Sequence, residues 1–270
     1  EELLEELNRT GFAFDRDFVL KACLVVLNRG ARYEVNKLRA PGVRDEIEQK
    51  WDAIASAVKD VADRLMSDTY IRCHKALPSY NVLMPLIYFR YHEPANWRTT
   101  KDIGNYILRA SLAGTFSAGP DQLIDDITTF VAQQKQFNTA DVLELIRGRG
   151  RPVELSEDRL WEQGYGSKNV HLIFNLLYRN FNYTPLFDGN MPQVDHIFPQ
   201  APLSAIRMPN PETGKNTLMK YKKPVRDQLE NCMLLTAYEN GFQEKCDTLP
   251  AVWFKDKPPE YLEAHLIPRD

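Results

Sequence analysis

The chain has 270 residues, of which 43% are hydrophobic and 26% are charged, and its formal net charge is −3. This composition is typical of globular proteins, and the length allows one large or two modest domains. The sequence contains no apolar run of the ~18 residues that a membrane span requires, and its first residues lack the basic and apolar regions of a secretory signal.

The first part of the chain, up to about residue 182, shows helical periodicity almost throughout. It opens with the acidic segment 1–7, which lacks an initiator Met and indicates a piece of a longer protein. Asp15 is expected to cap a helix that ends near Gly30. Apolar residues then recur at spacings of four and three, which predicts a long amphipathic helix. They are Val43, Ile47, Trp51, Ile54, Val58, Ala62 and Leu65.

Residues 80–89 are strongly apolar and predict a buried helix with Pro85 near its first turn. Ser167 is expected to cap a later helix that leads into a second domain. The run Arg-Gly-Arg-Gly-Arg at 147–151 is interpreted as a flexible basic linker, because it lacks the Gly-Lys-Ser/Thr ending of a phosphate-binding loop. Further helices are expected at 100–112, 121–134 and 139–146.

The chain changes character after residue 182, where frequent prolines exclude long helices. The short apolar runs 194–198 and 233–236 predict two strands joined by a long irregular connection. Helices are expected at about 237–245 and 259–265. The predicted fold is therefore mainly α, with an all-α domain at 1–182 followed by a small α+β domain at 183–270.

The four cysteines form no Cys-x-x-Cys pair, which favours a reducing cytoplasm over a disulfide framework. The same sparse spacing argues against a structural zinc site at Cys232 and Cys246.

The long connection is basic, since six cations between residues 207 and 226 accompany the single anion Glu212. Such a cluster attracts phosphate even in a mildly acidic chain, because the interaction is local and is screened beyond ~10 Å. A solvated surface loop is the alternative interpretation. The cations are Arg207, Lys215, Lys220, Lys222, Lys223 and Arg226.

A carboxylate and an imidazole, Asp195 and His196, precede this connection, and two carboxamides, Asn231 and Asn240, follow it. An imidazole accepts a proton from water near neutral pH. Carboxylate and carboxamide oxygens suit Mg²⁺ or Mn²⁺, so Asp195 and Asn240 are candidate metal ligands. Adjacent strand residues point to opposite sides, so both Asp195 and His196 can face one ion only at a bulge or a strand end. A structural histidine and ordinary turn asparagines are the alternatives.

These residues resemble the HNH, or ββα-metal, nucleases, and in particular the C-terminal nuclease region of GmrSD-type modification-dependent restriction endonucleases. The resemblance covers Asp195–Gln200, Leu229–Thr236 and Asn240, and extends more weakly to 17–22, 51–54 and 77–86. The family's nucleotide-using N-terminal domain has no counterpart in this sequence, and we expect it in the missing part of the same protein.

The resemblance implies that the second domain has the fold of a ββα-metal nuclease, and it implies a role for each matching residue. His196, Asn231 and Asn240 would be catalytic, with His196 as the general base, and Asp195 and Asn240 would hold Mg²⁺ or Mn²⁺. The amide of Asn231 would act indirectly by bonding across the connecting loop. The DNA backbone would be contacted by Lys220, Lys222, Lys223, Arg226 and Lys245, with Lys245 at the scissile phosphate.

The activity implied is endonucleolytic nicking or cleavage of double-stranded, modified DNA by a cytoplasmic restriction system that acts against phage. The products would carry a 5′-phosphate and a 3′-hydroxyl. The alternative is a catalytically silent HNH-like module that binds DNA or regulates a partner, and an RNase is a further alternative.

Overall fold

The computed structural model of the protein describes residues 1–178, 192–241 and 244–268. The chain divides into two compact units, Glu1–Leu155 and Ser156–Asp270. The domain boundary predicted at 182/183 lies outside the described residues and stays a prediction. The helix that was expected to lead into the second domain already belongs to the second unit.

The first unit is built from helices around a central apolar helix, α5. This helix contacts α2, α4, α6 and α8, and its residues Leu86, Ile87 and Phe89 are buried. The buried helix predicted at 80–89 is therefore confirmed from Met84 onwards, and residues Tyr80–Leu83 form a 3₁₀ turn before it. The helices are α1 Glu2–Asn8, α2 Arg16–Val26, α3 Val35–Leu38, α4 Val43–Asp68, α5 Met84–His92, α6 Pro94–Thr99, α7 Ile103–Leu112, α8 Pro120–Gln134 and α9 Thr139–Gly148.

Local signals in the first unit explain where its helices begin. The Asp15 carboxylate accepts a hydrogen bond from Phe18 N at 2.7 Å, which confirms the predicted cap of α2. Helix α4 follows Gly42, whose φ is +79°, a left-handed backbone conformation that glycine adopts more readily than other residues. It buries most of the predicted apolar stripe, namely Val43, Ile54, Val58, Ala62 and Leu65.

The interpretation of 147–151 as a flexible linker is wrong. Helix α9 continues to Gly148, and the arginines around its end form ion pairs within the first unit. Arg147 pairs with Glu144 and Glu154, and Arg149 pairs with Asp126 at 2.9 Å. These ion pairs fix the position of the segment, and the carboxylates neutralise the charges of Arg147 and Arg149.

The second unit combines short helices with two small sheets. Strands β1 and β4 pair with each other, and β2 and β3 form a separate pair within the connection between them. The protein is thus mainly α, as expected, with a small two-sheet region whose second sheet, β2–β3, lies in the connection that was expected to be irregular. The elements are α10 Glu157–Trp161, α11 Val170–Leu177, β1 Pro192–His196, α12 Gln200–Ala205, β2 Arg207–Pro209, β3 Asn216–Met219, α13 Lys223–Arg226, β4 Cys232–Thr236, α14 Pro250–Trp253 and α15 Pro259–Ala264.

Two local predictions in the second unit are wrong. Ser167 does not cap α11, because its hydroxyl accepts from Gly164 N at 3.3 Å and the helix begins at Val170, after Asn169. The helix expected at 237–245 is absent from the described residues there, which form turns. Thr236 and Glu239 bond reciprocally at the end of β4 and close a single tight turn instead.

None of the helices in the described ranges combines the length and the apolar composition needed to cross a membrane. Helix α4 is long enough at 26 residues, but charged side chains occur along its whole length.

Candidate active site

The candidate site is built on the antiparallel pair of β1 and β4. His196 lies opposite Cys232 and Asp195 lies opposite Met233, in a regular register from Pro192↔Thr236 onwards. Strand β4 anchors this pair, since its first four residues, 232–235, are buried. Strand β1 ends at His196, so the two neighbouring side chains lie at a strand end, which is one of the two arrangements that the sequence required.

His196 lies in a closely packed polar setting. The residue is 4% exposed, and its Nε2 atom lies 3.1 Å from Asp227 Oδ1. Gln200 Nε2 donates to the same carboxylate oxygen at 2.8 Å. The ring of Tyr165 covers the imidazole, with 4.2 Å between the ring centroids. The histidine is therefore held by a carboxylate at one nitrogen and by an aromatic ring over its plane.

This arrangement assigns different roles to the two ring nitrogens. Asp227 is an acceptor, so Nε2 carries the proton and donates to it. The Gln200 amide nitrogen lies 3.2 Å from Nε2. In this tautomer both nitrogens are donors, so they do not bond to each other, and each donates to Asp227 Oδ1. The other nitrogen, Nδ1, makes no hydrogen bond to any residue in the described ranges. In this tautomer Nδ1 keeps its lone pair and is the basic atom.

The position of Asp227 depends on a close backbone approach by Gly164. A Cβ atom built on Gly164 would lie 1.9 Å from Asp227 O, so no side chain fits there. Tyr165 N donates to the same carbonyl at 2.8 Å, and Gly164 forms an isolated bridge with Gln228. The missing side chain of Gly164 thus allows one short segment to fix both Asp227 and the ring over His196.

Asn231 joins the two ends of the connection between β1 and β4. Its Oδ1 atom accepts from Phe198 N at 2.8 Å, and its Nδ2 atom donates to Phe198 O at 3.1 Å and to Arg226 O at 2.7 Å. The backbone adds a bond from Ile197 N to Asn231 O at 2.8 Å. The bonding across the loop that the resemblance implies for Asn231 is present, and its effect on catalysis stays a prediction.

The two candidate metal ligands, Asp195 and Asn240, bond to other partners. Asp195 Oδ2 accepts from Lys245 Nζ at 2.5 Å, and Asn240 Nδ2 donates to Gln193 Oε1 at 2.9 Å. Gln193 and Asp195 are two residues apart on β1 and share one face of the strand. Lys245 and Asn240 therefore both contact that face, whereas His196 bonds to a separate set of residues.

The donor chemistry on this face fits a hard divalent ion. Asp195 Oδ1 and Asn240 Oδ1 accept no hydrogen bond from the described residues, and both are oxygen donors of the kind that Mg²⁺ or Mn²⁺ uses. The described ranges contain no cluster of three His, Cys, Asp or Glu side chains that would hold a metal. An ion here would thus take most of its ligands from water and from a phosphate.

Lys245 is the site residue whose placement differs most from expectation. Its side chain is fully buried, and its ammonium donates to His196 O as well as to Asp195. This conformation neutralises Asp195 from within the protein and does not present the ammonium to solvent. The contact with a scissile phosphate stays a prediction.

The predicted DNA-contacting lysines, Lys220, Lys222 and Lys223, are exposed, and Arg226 is half-buried. Arg226 donates to Gln200 O at 3.5 Å, which places it next to the residue that bonds Asp227. The basic segment is therefore continuous with the surroundings of His196.

Cys232, opposite His196, is a neutral thiol. Burial raises its pKa from 9.0 to about 12, and its sulfur donates to Gln228 O at 3.3 Å. A thiol that stays protonated at neutral pH is a poor nucleophile.

Sequence reasoning missed Asp227, Tyr165 and the role of Gln200. Asp227 lies 31 positions after its histidine, so no local spacing connects the two. The available signal was the carboxylate that directly follows the six cations of the connection. Tyr165 carried no signal, because its contact depends on the fold of the unit.

A scan of protein-family models finds none that matches this chain, and a search of curated proteins finds no match either.

Proposed function

We propose that the second unit is a divalent-metal-dependent DNA endonuclease in which His196 is the general base. The observation that carries this proposal is the hydrogen bond from His196 Nε2 to Asp227 Oδ1. A carboxylate at one ring nitrogen fixes the tautomer that leaves the other nitrogen basic, which is the arrangement of a base and its orienting group. The resemblance to HNH nucleases supplies the reaction class.

The chain's own residues would act on a water and a phosphodiester. His196 Nδ1 takes one proton from the water, whose oxygen forms the new bond to phosphorus. The bond from phosphorus to the 3′ oxygen breaks, and that oxygen takes a proton from a solvent water and leaves as a 3′-hydroxyl, while the imidazolium later returns its proton to solvent. Asp227 stabilises the imidazolium until the proton is released. A Mg²⁺ or Mn²⁺ ion held by Asp195 and Asn240 would supply charge stabilisation for the phosphate oxygens.

The charge of the connection supports DNA as the substrate. Lys220, Lys222 and Lys223 form no ion pair with any carboxylate in the described ranges, and they follow one another within a short exposed stretch. Unpaired cations lose no existing partner when they bind phosphate, and they contribute the sequence-independent part of DNA affinity. Their role would be to place the duplex backbone.

A role in restriction of modified phage DNA rests on the resemblance to GmrSD-type enzymes. It predicts that full activity requires a nucleotide-using domain and a modified substrate. Cleavage assays on unmodified, methylated, glucosylated and phosphorothioate DNA would test the choice of substrate.

The proposal is tested by incubating supercoiled plasmid with the protein in Mg²⁺ or Mn²⁺, with and without chelator. Wild type should nick the plasmid only with the metal, and His196→Ala should lower the rate by about 10²- to 10⁴-fold. His74→Ala is the matched control, because His74 is exposed and lies in the first unit. Equal nicking by wild type and His196→Ala would refute the assignment.

A catalytically silent DNA-binding module is the second candidate, and Lys245 is the observation that favours it. Its buried ammonium already neutralises Asp195, so an ion at Asp195 would meet a resident positive charge. In that case the protein would bind duplex DNA with and without metal, and it would nick none of the modified or plain substrates.

A further inference from the structure

Strands β2 and β3 form a two-stranded ribbon, residues 206–220, within the connection between β1 and β4. Arg207 pairs with Met219 and Met208 with Leu218, and the register shifts between Met208 and Pro209. Additional bonds run from Lys220 N to Ile206 O at 3.0 Å and from Asn210 N to Lys215 O at 2.8 Å. The ribbon is thus ordered along its length by its own hydrogen bonds.

Side chains on both faces of the ribbon are exposed. All three residues of β2 and the first three of β3 are exposed, although β-ribbons usually cover one face with a core. Met208 and Leu218 are 41% and 38% exposed, and the neighbouring Ile206 is 42% exposed. Cross-strand partners share a face, so these three side chains form one apolar strip. The second unit leaves this strip accessible.

Positive charge surrounds the apolar strip. Arg207, Lys215 and Lys220 lie on the ribbon, and Lys222 and Lys223 follow it directly. Among the described residues, no carboxylate forms an ion pair with any of these five side chains. By contrast, the arginines at the end of α9 are paired with carboxylates in the first unit. These five cations outnumber Glu212, the single anion of the ribbon, so the surface favours a partner that is anionic and also offers apolar contacts.

We infer that the ribbon enters the major groove of duplex DNA, with Met208 and Leu218 against thymine methyl groups and the flanking cations on the phosphates. The major groove, about 12 Å wide, admits a two-stranded β-ribbon, and the thymine methyl is its apolar feature. The two strands of the ribbon lie about 4.8 Å apart, so their backbones together with side chains on either side fit within that width. This inference rests on the proposed function only in taking DNA as the partner.

Fluorescence anisotropy of a fluorescein-labelled, thymine-rich duplex tests the inference, with the wild-type chain in chelator so that no cleavage intervenes. Met208→Ser/Leu218→Ser should weaken binding, whereas Val252→Ser, a change at an exposed valine of α14, should not. Replacing thymine by uracil should weaken wild-type binding about fourfold for each methyl contacted. The Met208→Ser/Leu218→Ser variant should not respond to that replacement.

Two further measurements separate the apolar and charged contacts. Lys215→Gln/Lys220→Gln should reduce the slope of log affinity against log salt by about two, since each phosphate contact contributes about 0.9. Met208→Ser/Leu218→Ser should keep the wild-type slope. Circular dichroism should show both variants folded, because the changed side chains are exposed.

Three outcomes would overturn the inference. One is unchanged duplex binding by Met208→Ser/Leu218→Ser, and another is equal wild-type affinity for the thymine and uracil duplexes. The third is a wild-type dimer in analytical ultracentrifugation that the same variant dissolves, which would make the strip a contact between copies. The anisotropy results do not depend on nicking, so a failed nuclease with a confirmed ribbon would identify a silent DNA-binding module.

Discussion

Asp227 Oδ1 lies 3.1 Å from His196 Nε2, and the two side chains are only 11% and 6% exposed. A shielded carboxylate at this nitrogen selects the ring tautomer and stabilises the imidazolium once a proton has been taken. Disrupting the pair should therefore affect the proposed chemistry directly.

Asp227→Asn tests this relationship while keeping the size of the side chain. The amide can donate to Nε2, which favours the tautomer with its proton on Nδ1 and removes the basic lone pair. We expect the plasmid nicking rate to fall by about 10²- to 10⁴-fold, with a circular dichroism spectrum like that of wild type. Asp256→Asn, at an exposed aspartate, should nick at the wild-type rate. A wild-type rate in Asp227→Asn would show that the carboxylate has no role.

Gly164→Ala tests the close approach that positions Asp227. The added Cβ would lie 1.9 Å from Asp227 O, so the backbone must move. We expect the free energy of unfolding in urea to fall by about 1–3 kcal/mol. At Gly148 an added Cβ meets no atom within 4 Å, and Gly148→Ala should be neutral or stabilising by up to about 1 kcal/mol. Equal effects of the two changes would contradict the steric argument.

Asn231→Ala removes the bonds of Asn231 to Phe198 and Arg226. Three backbone groups lose a partner, so we expect a loss of about 1–3 kcal/mol in the free energy of unfolding. Asn216→Ala, at an exposed residue of β3, is the matched control and should change this free energy little. If Asn231→Ala proved as stable as the control, the side chain would not join the two ends of the connection.

Cys232 should make the protein less stable in alkali. Burial raises its pKa from 9.0 to about 12, so between about pH 9 and 12 the unfolded thiol ionises while the folded thiol stays protonated. The unfolded state then binds fewer protons, and stability falls with rising pH by up to about 1.4 kcal/mol per unit. Below pH 9 this contribution does not vary with pH.

The measurement for Cys232 is urea unfolding at a series of pH values from neutral to alkaline. Cys232→Ala should show a shallower decline above pH 9 than wild type. Cys246 is exposed, and Cys246→Ala should follow the wild-type curve. Parallel curves for wild type and Cys232→Ala would refute the predicted linkage.

Lys245→Met removes the cation that faces Asp195 inside the second unit. Lys245 is fully buried, so the change leaves a carboxylate without its counter-charge, and we expect a loss of about 3–5 kcal/mol in the free energy of unfolding. Asp195→Asn added to Lys245→Met should recover part of this loss. Lys255→Met, at an exposed lysine, should have little effect. Additive effects of the Asp195 and Lys245 changes would show that the two residues do not interact.

Sequence reasoning succeeded where the deciding interaction is local. Asp15 lies three residues before the amide that it caps, and the apolar stripe of α4 follows from the helical repeat alone. The run at 80–89 contains so many apolar residues that it had to be buried. Strand β4 was also predictable, because it is a short apolar run between turn residues, whereas β1, expected at 194–198, lies two residues earlier at Pro192–His196.

Features decided by contacts distant in sequence were missed or wrongly placed. The segment 237–245 has the composition of a helix, but the Thr236–Glu239 bonds close a turn at its start. Asp227 and Tyr165 reach His196 only because Gly164 lies against the Asp227 carbonyl. Lys245 looked like a surface cation, and its pairing with Asp195 connects residues 50 positions apart.

Asn231 also makes the connection between β1 and β4 structurally independent of the strands that it joins. Its amide joins Phe198 to Arg226, so the segment between those residues is a loop whose two ends are tied together beside β1. The contents of such a loop can change in length or sequence without moving its ends. The segment 201–225 can therefore be exchanged while Gln200 stays in contact with Asp227, and grafting a different hairpin there should change the binding surface without moving the residues around His196.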